Sequence, residues 1–229
     1  MRSTTGLTAL LTLGLFLAAP CIASTVIANN AGMLPATAED LTNMFPTEII
    51  GTLDGTNQND VNMFEISIMQ ASDFSAITAP TGAFGIPDTV LSLFNASGVG
   101  VYLNDDISGS DTLSCLPSAD ASNPCPVGPG GNGPLTPGIY FLAISRSANY
   151  PVDGFGNEVF SPVLSTDVVG PSSTNPVAGW DGGVYTSPDF DLVNYDILLT
   201  GTVPEPGTFL LTGLAGLALA AFRRARRRV

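Results

Sequence analysis

The chain has 229 residues with no histidine and no lysine, and its formal net charge is −13. Between residues 24 and 203, here called the body, one arginine stands against 19 acids, a net charge of −18. The absence of imidazole excludes Ser-His-Asp and Cys-His hydrolysis and histidine-ligated zinc, and the acidity excludes a nucleic-acid partner. Such acidity maintains the solubility of an exported protein and also suits hard cations such as Ca²⁺, and composition leaves both interpretations open.

Residues 1–23 have the pattern of a secretory signal peptide. A basic residue precedes an apolar run over 7–19, and small residues lead up to Ala23. This order predicts a hydrophobic signal helix that signal peptidase removes after Ala23. Cys21 raises the alternative of a lipoprotein cysteine, but Pro20 occupies the position where that signal favours Gly or Ala.

A lead-in over residues 24–47 precedes a predicted domain over 48–202, in which apolar residues alternate with a period of two. In "DVNMFEISIMQ", for example, Phe64, Ile66 and Ile68 share one face. "GIYFLAISR" is apolar on both faces, which predicts a strand covered on both sides. Further strands are predicted in "EIIGTLDG", "DTVLSLFNASG" and "FDLVNYDILLTG". Short apolar runs separated by turn residues are typical of an antiparallel β-sandwich, and the region 147–188 predicts long surface loops.

Two cysteines, Cys115 and Cys125, remain once the signal peptide is removed. They bracket the polar, proline-containing segment "CLPSADASNPC". An even number of cysteines in an exported protein predicts a disulfide. The alternative is a metal pair, but two thiols with no histidine partner make a poor zinc site.

Acidic and amide residues cluster in three turns, "NDVN", "PD" and "NDD". Loops at one end of a β-sandwich converge, so carboxylates far apart in sequence can meet there. Ca²⁺ binds six to eight carboxylate, amide and backbone oxygens. The candidate ligands are therefore Asp60, Asn62, Asp88, Asp105 and Asp106. The alternative is that Asp and Asn occupy these turns because they tolerate left-handed geometry and hydrogen-bond their own backbone.

The order of three segments, "NDVNMFEISI", "DTVLSLFNASGVGVYLNDD" and "LTPGIYFLAISR", resembles the bacterial pre-peptidase C-terminal (PPC) domain. The matching residues are Asp60, Asn62, Phe64, Asp88, Thr89, Leu91, Leu93, Phe94, Asn95, Asn104, Asp105, Asp106, Gly138, Tyr140 and Phe141. The resemblance implies an antiparallel, jelly-roll-like β-sandwich that acts as a non-catalytic, sometimes Ca²⁺-dependent, binding module. In contrast to the family pattern, no enzyme domain accompanies it in this chain.

The segment 203–229, "VPEPGTFLLTGLAGLALAAFRRARRRV", has three parts in order. Pro204, Glu205 and Pro206 come first, and an apolar run over 208–222 follows. This run predicts a single hydrophobic helix of about 22 Å, marginal for a hydrocarbon core of about 30 Å. The arginines that end the chain predict a cytoplasmic C-terminus; they are Arg223, Arg224, Arg226, Arg227 and Arg228.

These three parts together resemble the PEP-CTERM sorting signal of exopolysaccharide-producing Gram-negative bacteria. The resemblance implies recognition by an exosortase, which cuts at or near the Pro-Glu-Pro motif. The chain would then be held transiently in the inner membrane through 208–222, and the body released to the cell surface or extracellular matrix. The alternative is a plain tail anchor.

These patterns predict a non-enzymatic, exported protein that acts as a structural or adhesive component of the surface or exopolysaccharide matrix. The alternative is a carbohydrate-binding module that contacts extracellular polysaccharide through the aromatics of the loop region, namely Phe155, Phe160, Trp180, Tyr185 and Phe190. Trp180 has a second interpretation, as a loop residue that packs against the sandwich. A carboxylate-type hydrolase, which needs only Asp and Glu, is the third possibility.

Overall fold

A computed structural model describes residues 24–28, 31–54, 60–80, 88–118, 125, 133–134, 136–161, 163, 166–182 and 192–204. Residues 22–204 belong to one compact unit. The predicted signal helix over 1–23 and the predicted hydrophobic helix over 208–222 lie outside the described residues. Within the described ranges, no helix is both long enough and apolar enough to cross a membrane.

The described chain is built from β-strands, which confirms the predicted all-β class. The strands are β1 (Ser24–Ile27), β2 (Glu39–Asp40), β3 (Pro46–Asp54), β4 (Val61–Ile68), β5 (Ser75–Ala79), β6 (Thr89–Asn95), β7 (Gly100–Asn104), β8 (Cys115–Leu116), β9 (Gly138–Arg146), β10 (Pro151–Asp153), β11 (Val177–Trp180) and β12 (Leu192–Thr200). The first sheet has the strand order β1-β3-β12-β5-β8, and the second has the order β2-β4-β9-β6-β7. Strands β10 and β11 form a separate pair.

Both sheets are mixed, which corrects the prediction of a purely antiparallel sandwich. Strand β1 pairs in parallel with β3, and β2 pairs in parallel with β4. In each case the chain forms a strand of the other sheet between the two paired strands, and such a long crossover connection permits parallel pairing. The parallel strands are short and lie at the sheet edges. They come from the lead-in 24–47, where the sequence shows no clear alternation.

The main core lies between the two sheets and follows the predicted alternation. Phe64, Ile66 and Ile68 of β4 all point into it, as predicted. The neighbouring strand β9 adds Leu142 and Ile144. From the first sheet come Ile49, Leu53, Tyr195, Ile197 and Leu199. Burial of these apolar side chains is the principal stabilising contribution to the sandwich.

A second core covers the outer face of the second sheet. Met63, Phe94 and Phe141 lie on that face and pack with Phe160 and Val177 from the segment 150–180. The region 147–188, predicted as surface loops, therefore supplies buried residues and the β10–β11 pair. The sequence did not indicate this role, because the region is rich in Gly, Pro and Ser and its buried apolar residues show no regular spacing. The prediction that β9 is covered on both faces agrees with this second core.

The body is held by hydrogen bonds up to Val203, the residue directly before the Pro-Glu-Pro tripeptide. The Thr202 hydroxyl donates to the Pro46 carbonyl at 2.6 Å, and the Gln70 side-chain amide donates to the Val203 carbonyl at 3.3 Å. Gly201 has φ +72, and a Cβ there would lie 2.6 Å from the Gln70 carbonyl oxygen. Glycine is therefore required where the last strand leaves the sheet.

Candidate functional site

Three carboxylates meet at one end of the second sheet. Asp88 lies directly before β6, whereas Asp105 and Asp106 lie directly after β7. Because β6 and β7 are antiparallel, the start of one lies beside the end of the other. One carboxylate oxygen from each of the three residues lies within 4.8 Å of the other two. These residues are called the carboxylate cluster below, and they are three of the five predicted cation ligands.

The centre of the carboxylate cluster is Asp105, which is only 3% exposed. Its Oδ2 accepts a hydrogen bond from the Tyr150 hydroxyl at 2.9 Å. Its Oδ1 and the Oδ1 of Asp88 are buried and have no hydrogen-bond partner among the described residues. A buried, unpartnered carboxylate oxygen is costly, and protonation of the carboxyl, a positive charge or a hydrogen-bond donor relieves this cost.

The electrostatics of the cluster follow from this burial. Desolvation raises the pKa of Asp105 to about 7; hydrogen bonds from Tyr150 and Ser147 oppose the rise, and the charges of Asp106 and Asp88 add to it. Desolvation also raises the pKa of Asp88, with a further contribution from Asp106, while a Ser147 hydrogen bond and the Arg146 guanidinium act in the opposite direction. Burial and crowding of like charges thus both disfavour full ionisation of the cluster.

The turn that carries two of these acids is held by Asn104. The Asn104 side-chain amide donates to the Asp106 carbonyl at 3.0 Å and to the Asp167 carbonyl at 3.2 Å. Its Oδ1 accepts from the Cys115 N–H at 2.7 Å. The disulfide between Cys115 and Cys125 is present, with a Cα–Cα distance of 5.2 Å, and confirms the predicted pairing. Asn104 therefore has a structural role, because its side chain is fully engaged by the backbone.

Buried hydroxyls join the two sheets next to the cluster. The Thr89 hydroxyl lies 3.1 Å from that of Thr78 and 2.8 Å from that of Ser114. The Ser147 N–H donates to the Asp88 carbonyl at 3.1 Å, which ties the end of β9 to the start of β6. These hydrogen bonds hold the backbone at Asp88 and at the start of β6 in place.

The other two predicted ligands, Asp60 and Asn62, are not part of the cluster. Both lie at the start of β4, at the same end of the sheet, but β9 separates β4 from β6. The Asn62 side-chain amide donates to the Tyr195 hydroxyl at 2.8 Å and to the Thr52 carbonyl at 3.1 Å. The prediction that these turns share one end of the sandwich agrees with the structure. Alternation along β4, however, turns Asn62 toward the first sheet.

A polar groove with a volume of about 670 Å³ lies on the loop side of the body and was not predicted. Its lining residues are Asp153, Asn157, Glu158, Ser161, Ser172, Ser173, Thr174 and Asn175. Asp153 organises the groove, since it accepts from the Asn157 N–H at 3.0 Å, the Ser173 hydroxyl at 2.9 Å and the Asn175 amide at 3.0 Å. The Asn175 hydrogen bond is the largest of the contributions that lower the pKa of Asp153. The Asp-Gly pair at residues 153–154, which is typical of a turn, is the sequence feature that could have pointed to this groove.

The aromatic side chains of the loop region have different environments. Phe155 is 82% exposed beside the groove residues, whereas Phe160 is fully buried. The Trp180 Nε1–H donates to the Met33 carbonyl at 2.8 Å, which favours its interpretation as a packing residue over that of a sugar platform. Tyr185 and Phe190 lie outside the described residues.

The C-terminal signal begins directly after the folded body. Pro204 is the last described residue, and Glu205, Pro206 and the terminal arginines lie outside the described part. A search of curated proteins found no match to the chain. The family described as the PEP-CTERM protein-sorting motif matches residues 202–228. This motif indicates that the chain is an exosortase-sorted, exported protein of the Gram-negative cell surface or extracellular space.

Proposed function

We propose that the protein is a non-catalytic structural or adhesive component of the cell surface or of an exopolysaccharide matrix. The observation that carries the proposal is the sorting motif at 202–228, attached to a β-sandwich body that is anchored up to Val203. Cleavage after Pro204 would release the body with the hydrogen bonds of Thr202 and Val203 retained. The body would then be the part that functions at the cell surface.

A PPC-like, jelly-roll-like module is the finer assignment that we propose for the body. It is supported by the placement of the three segments that carry the resemblance. They form β4, β6 with β7, and β9, which are adjacent strands of one sheet in the order β4-β9-β6-β7. Motifs that lie far apart in sequence thus build one continuous surface, as expected for segments of a single module.

The non-catalytic assignment is supported by the chemistry available in the body. The sequence has no histidine or lysine, so a hydrolase would depend on carboxylates. Asp105 has a pKa suited to proton transfer, but it is 3% exposed and its Oδ2 is engaged by Tyr150. A substrate would therefore have little access to it.

A body-exchange experiment tests the proposed role. Residues 24–202 are replaced by an unrelated exported β-sandwich, while 1–23 and 203–229 are kept so that both proteins carry the same signals. We expect the natural body to stay in the washed matrix and the exchanged body to be lost from it. Equal retention of the two proteins would show that the body contributes no adhesion, which contradicts the proposal.

Carbohydrate binding is a second candidate, favoured by the polar groove and the exposed Phe155 beside it. Amide, hydroxyl and carboxylate groups are suited to hydrogen bonds with sugar hydroxyls, and an exposed ring can stack on a sugar face. A glycan array with residues 24–203 tests this function. Saturable binding that Phe155→Ala weakens and Met69→Ala leaves unchanged supports it, because Met69 is an exposed apolar residue on the β4–β5 turn. The absence of saturable binding to any glycan would eliminate it.

A further inference from the structure

We infer that the carboxylate cluster of Asp88, Asp105 and Asp106 is a Ca²⁺ site that joins two turns at one end of the second sheet. The inference does not depend on the proposed matrix role. Calcium–oxygen distances are about 2.3–2.6 Å, so two oxygens on one ion can lie up to about 5 Å apart. The cluster meets this condition, since one carboxylate oxygen from each of its three residues lies within 4.8 Å of the other two. Mg²⁺ binds at about 2.0–2.1 Å in strict octahedral geometry and would need a tighter arrangement.

The second, independent observation is the burial of unpartnered charge. Asp105 is 97% buried, the complement of its 3% exposure, and its Oδ1 has no hydrogen-bond partner in the described chain. The Oδ1 of Asp88, from a different turn, is in the same condition. Asp and Asn residues that merely shape turns normally engage their own backbone, as Asn104 does here. Asp88 and Asp105 instead each leave one buried Oδ1 without a hydrogen-bond partner among the described residues.

Arg146 does not supply the missing charge by itself. It is the last residue of β9, its side chain is largely buried, and its charge stabilises ionised Asp88. It is not among the groups that influence Asp105. One guanidinium also offsets only one of three carboxylates. A divalent cation would satisfy both unpartnered oxygens, the Oδ1 atoms of Asp88 and Asp105, at once.

The ligand chemistry selects Ca²⁺ over softer metals. Every acidic ligand in the cluster is an oxygen donor, the chain contains no histidine, and both cysteines of the body form the disulfide. Oxygen-only sites favour Ca²⁺ or Mg²⁺ over zinc and copper. Calcium sites of extracellular modules have dissociation constants of about 10⁻⁴–10⁻³ M, which is the range that we expect for an exported protein.

Calorimetry with CaCl₂ on the metal-stripped fragment 24–203 tests the inference. This fragment falls within the compact unit 22–204. We expect saturable binding by the natural sequence and at least tenfold weaker binding by Asp105→Asn. The matched control is Asp73→Asn, an exposed acid on the β4–β5 turn, which should bind Ca²⁺ as the natural sequence does. If Asp105→Asn does not fold, Asp106→Asn serves in its place because Asp106 is only partly buried.

Tb³⁺ luminescence gives an independent readout at the same position. The Tyr150 hydroxyl donates to Asp105 Oδ2 at 2.9 Å, so Tb³⁺ bound to the cluster should show emission when tyrosine is excited. We expect CaCl₂ to reverse this emission, Asp105→Asn to abolish it and Asp73→Asn to retain it. Three results would each overturn the inference: no saturable Ca²⁺ binding, equal affinities for Asp105→Asn and Asp73→Asn, or Mg²⁺ binding as tight as Ca²⁺ binding.

Discussion

Replacement of Asp105 by Asn should stabilise the metal-free protein at neutral pH, although it removes an acid that lies in a well-formed turn. The folded-state pKa of Asp105 is about 7, against 3.8 ordinarily. This difference corresponds to about 4 kcal/mol of cost for the ionised form in the folded protein. The asparagine side chain has nearly the same shape, carries no charge and can still accept the Tyr150 hydrogen bond.

The sign of the pH dependence follows from proton linkage. Between pH 3.8 and about 7, the folded protein holds a proton on Asp105 that the unfolded chain releases. The free energy of unfolding contributed by this group is therefore largest at low pH and falls as the pH rises through the folded-state pKa. From about pH 5 to about pH 7.5, the loss amounts to about 2–3 kcal/mol. The groups that act on the Asp105 carboxyl at both pH values are Tyr150, Asp106, Asp88 and Ser147.

Urea unfolding in EDTA at these two pH values tests the reasoning. The difference in unfolding free energy between the natural sequence and Asp105→Asn reports on the Asp105 carboxyl alone, because the other acids titrate in both proteins. We expect Asp105→Asn to be more stable by about 2–4 kcal/mol at the higher pH and to gain much less at the lower pH. Asp73→Asn should follow the natural sequence at both. A variant that is less stable than the natural sequence at the higher pH in EDTA would refute the reasoning.

Three further predictions concern the stability of the body. Reduction of the disulfide, which closes a loop with a sequence separation of 10, should cost roughly 2–3 kcal/mol in guanidinium unfolding, and an unchanged midpoint would contradict its structural role. Gly201→Ala should cost at least about 2 kcal/mol more than Gly156→Ala in the same assay, because both have positive φ but only Gly201 places a Cβ against backbone; equal losses would show that the clash relaxes. Phe160→Ala should cost about 3–5 kcal/mol, whereas Phe155→Ala should change stability by less than about 0.5 kcal/mol, and comparable losses would contradict their opposite burial.

The central strands were predictable because their packing produces a regular pattern. Phe64, Ile66 and Ile68 alternate along β4 and all enter the main core. Strand β9 is apolar on both faces because one core lies on each side of it. Strand β5 and the parallel edge strands β1 and β2 were not predicted, since short strands carry too few residues to show a period. Their position is decided by pairing partners that are distant in sequence.

The candidate site was partly predictable for a similar reason. Asp88, Asp105 and Asp106 stand at strand ends, so antiparallel pairing alone brings their turns together. The same reasoning places Asp60 and Asn62 at the same end, but alternation along β4 puts Asn62 on the face of Phe64, toward the first sheet. Tyr150 was not predicted as a partner of Asp105, because it belongs to a segment without periodicity that folds over the second sheet. The groove around Asp153 was missed because its side chains come from loops with no regular spacing.

Intact-mass analysis of the surface-associated protein, from hosts with and without an active exosortase, tests the central claim most directly. With the exosortase active, we predict a chain that begins at Ser24, ends at or near the Pro204–Pro206 motif, retains the disulfide and occurs in the surface or matrix fraction. Without it, the chain should keep the segment 207–229 and remain in the membrane fraction. A mature surface protein that retains residues 207–229 in the presence of active exosortase would contradict the account.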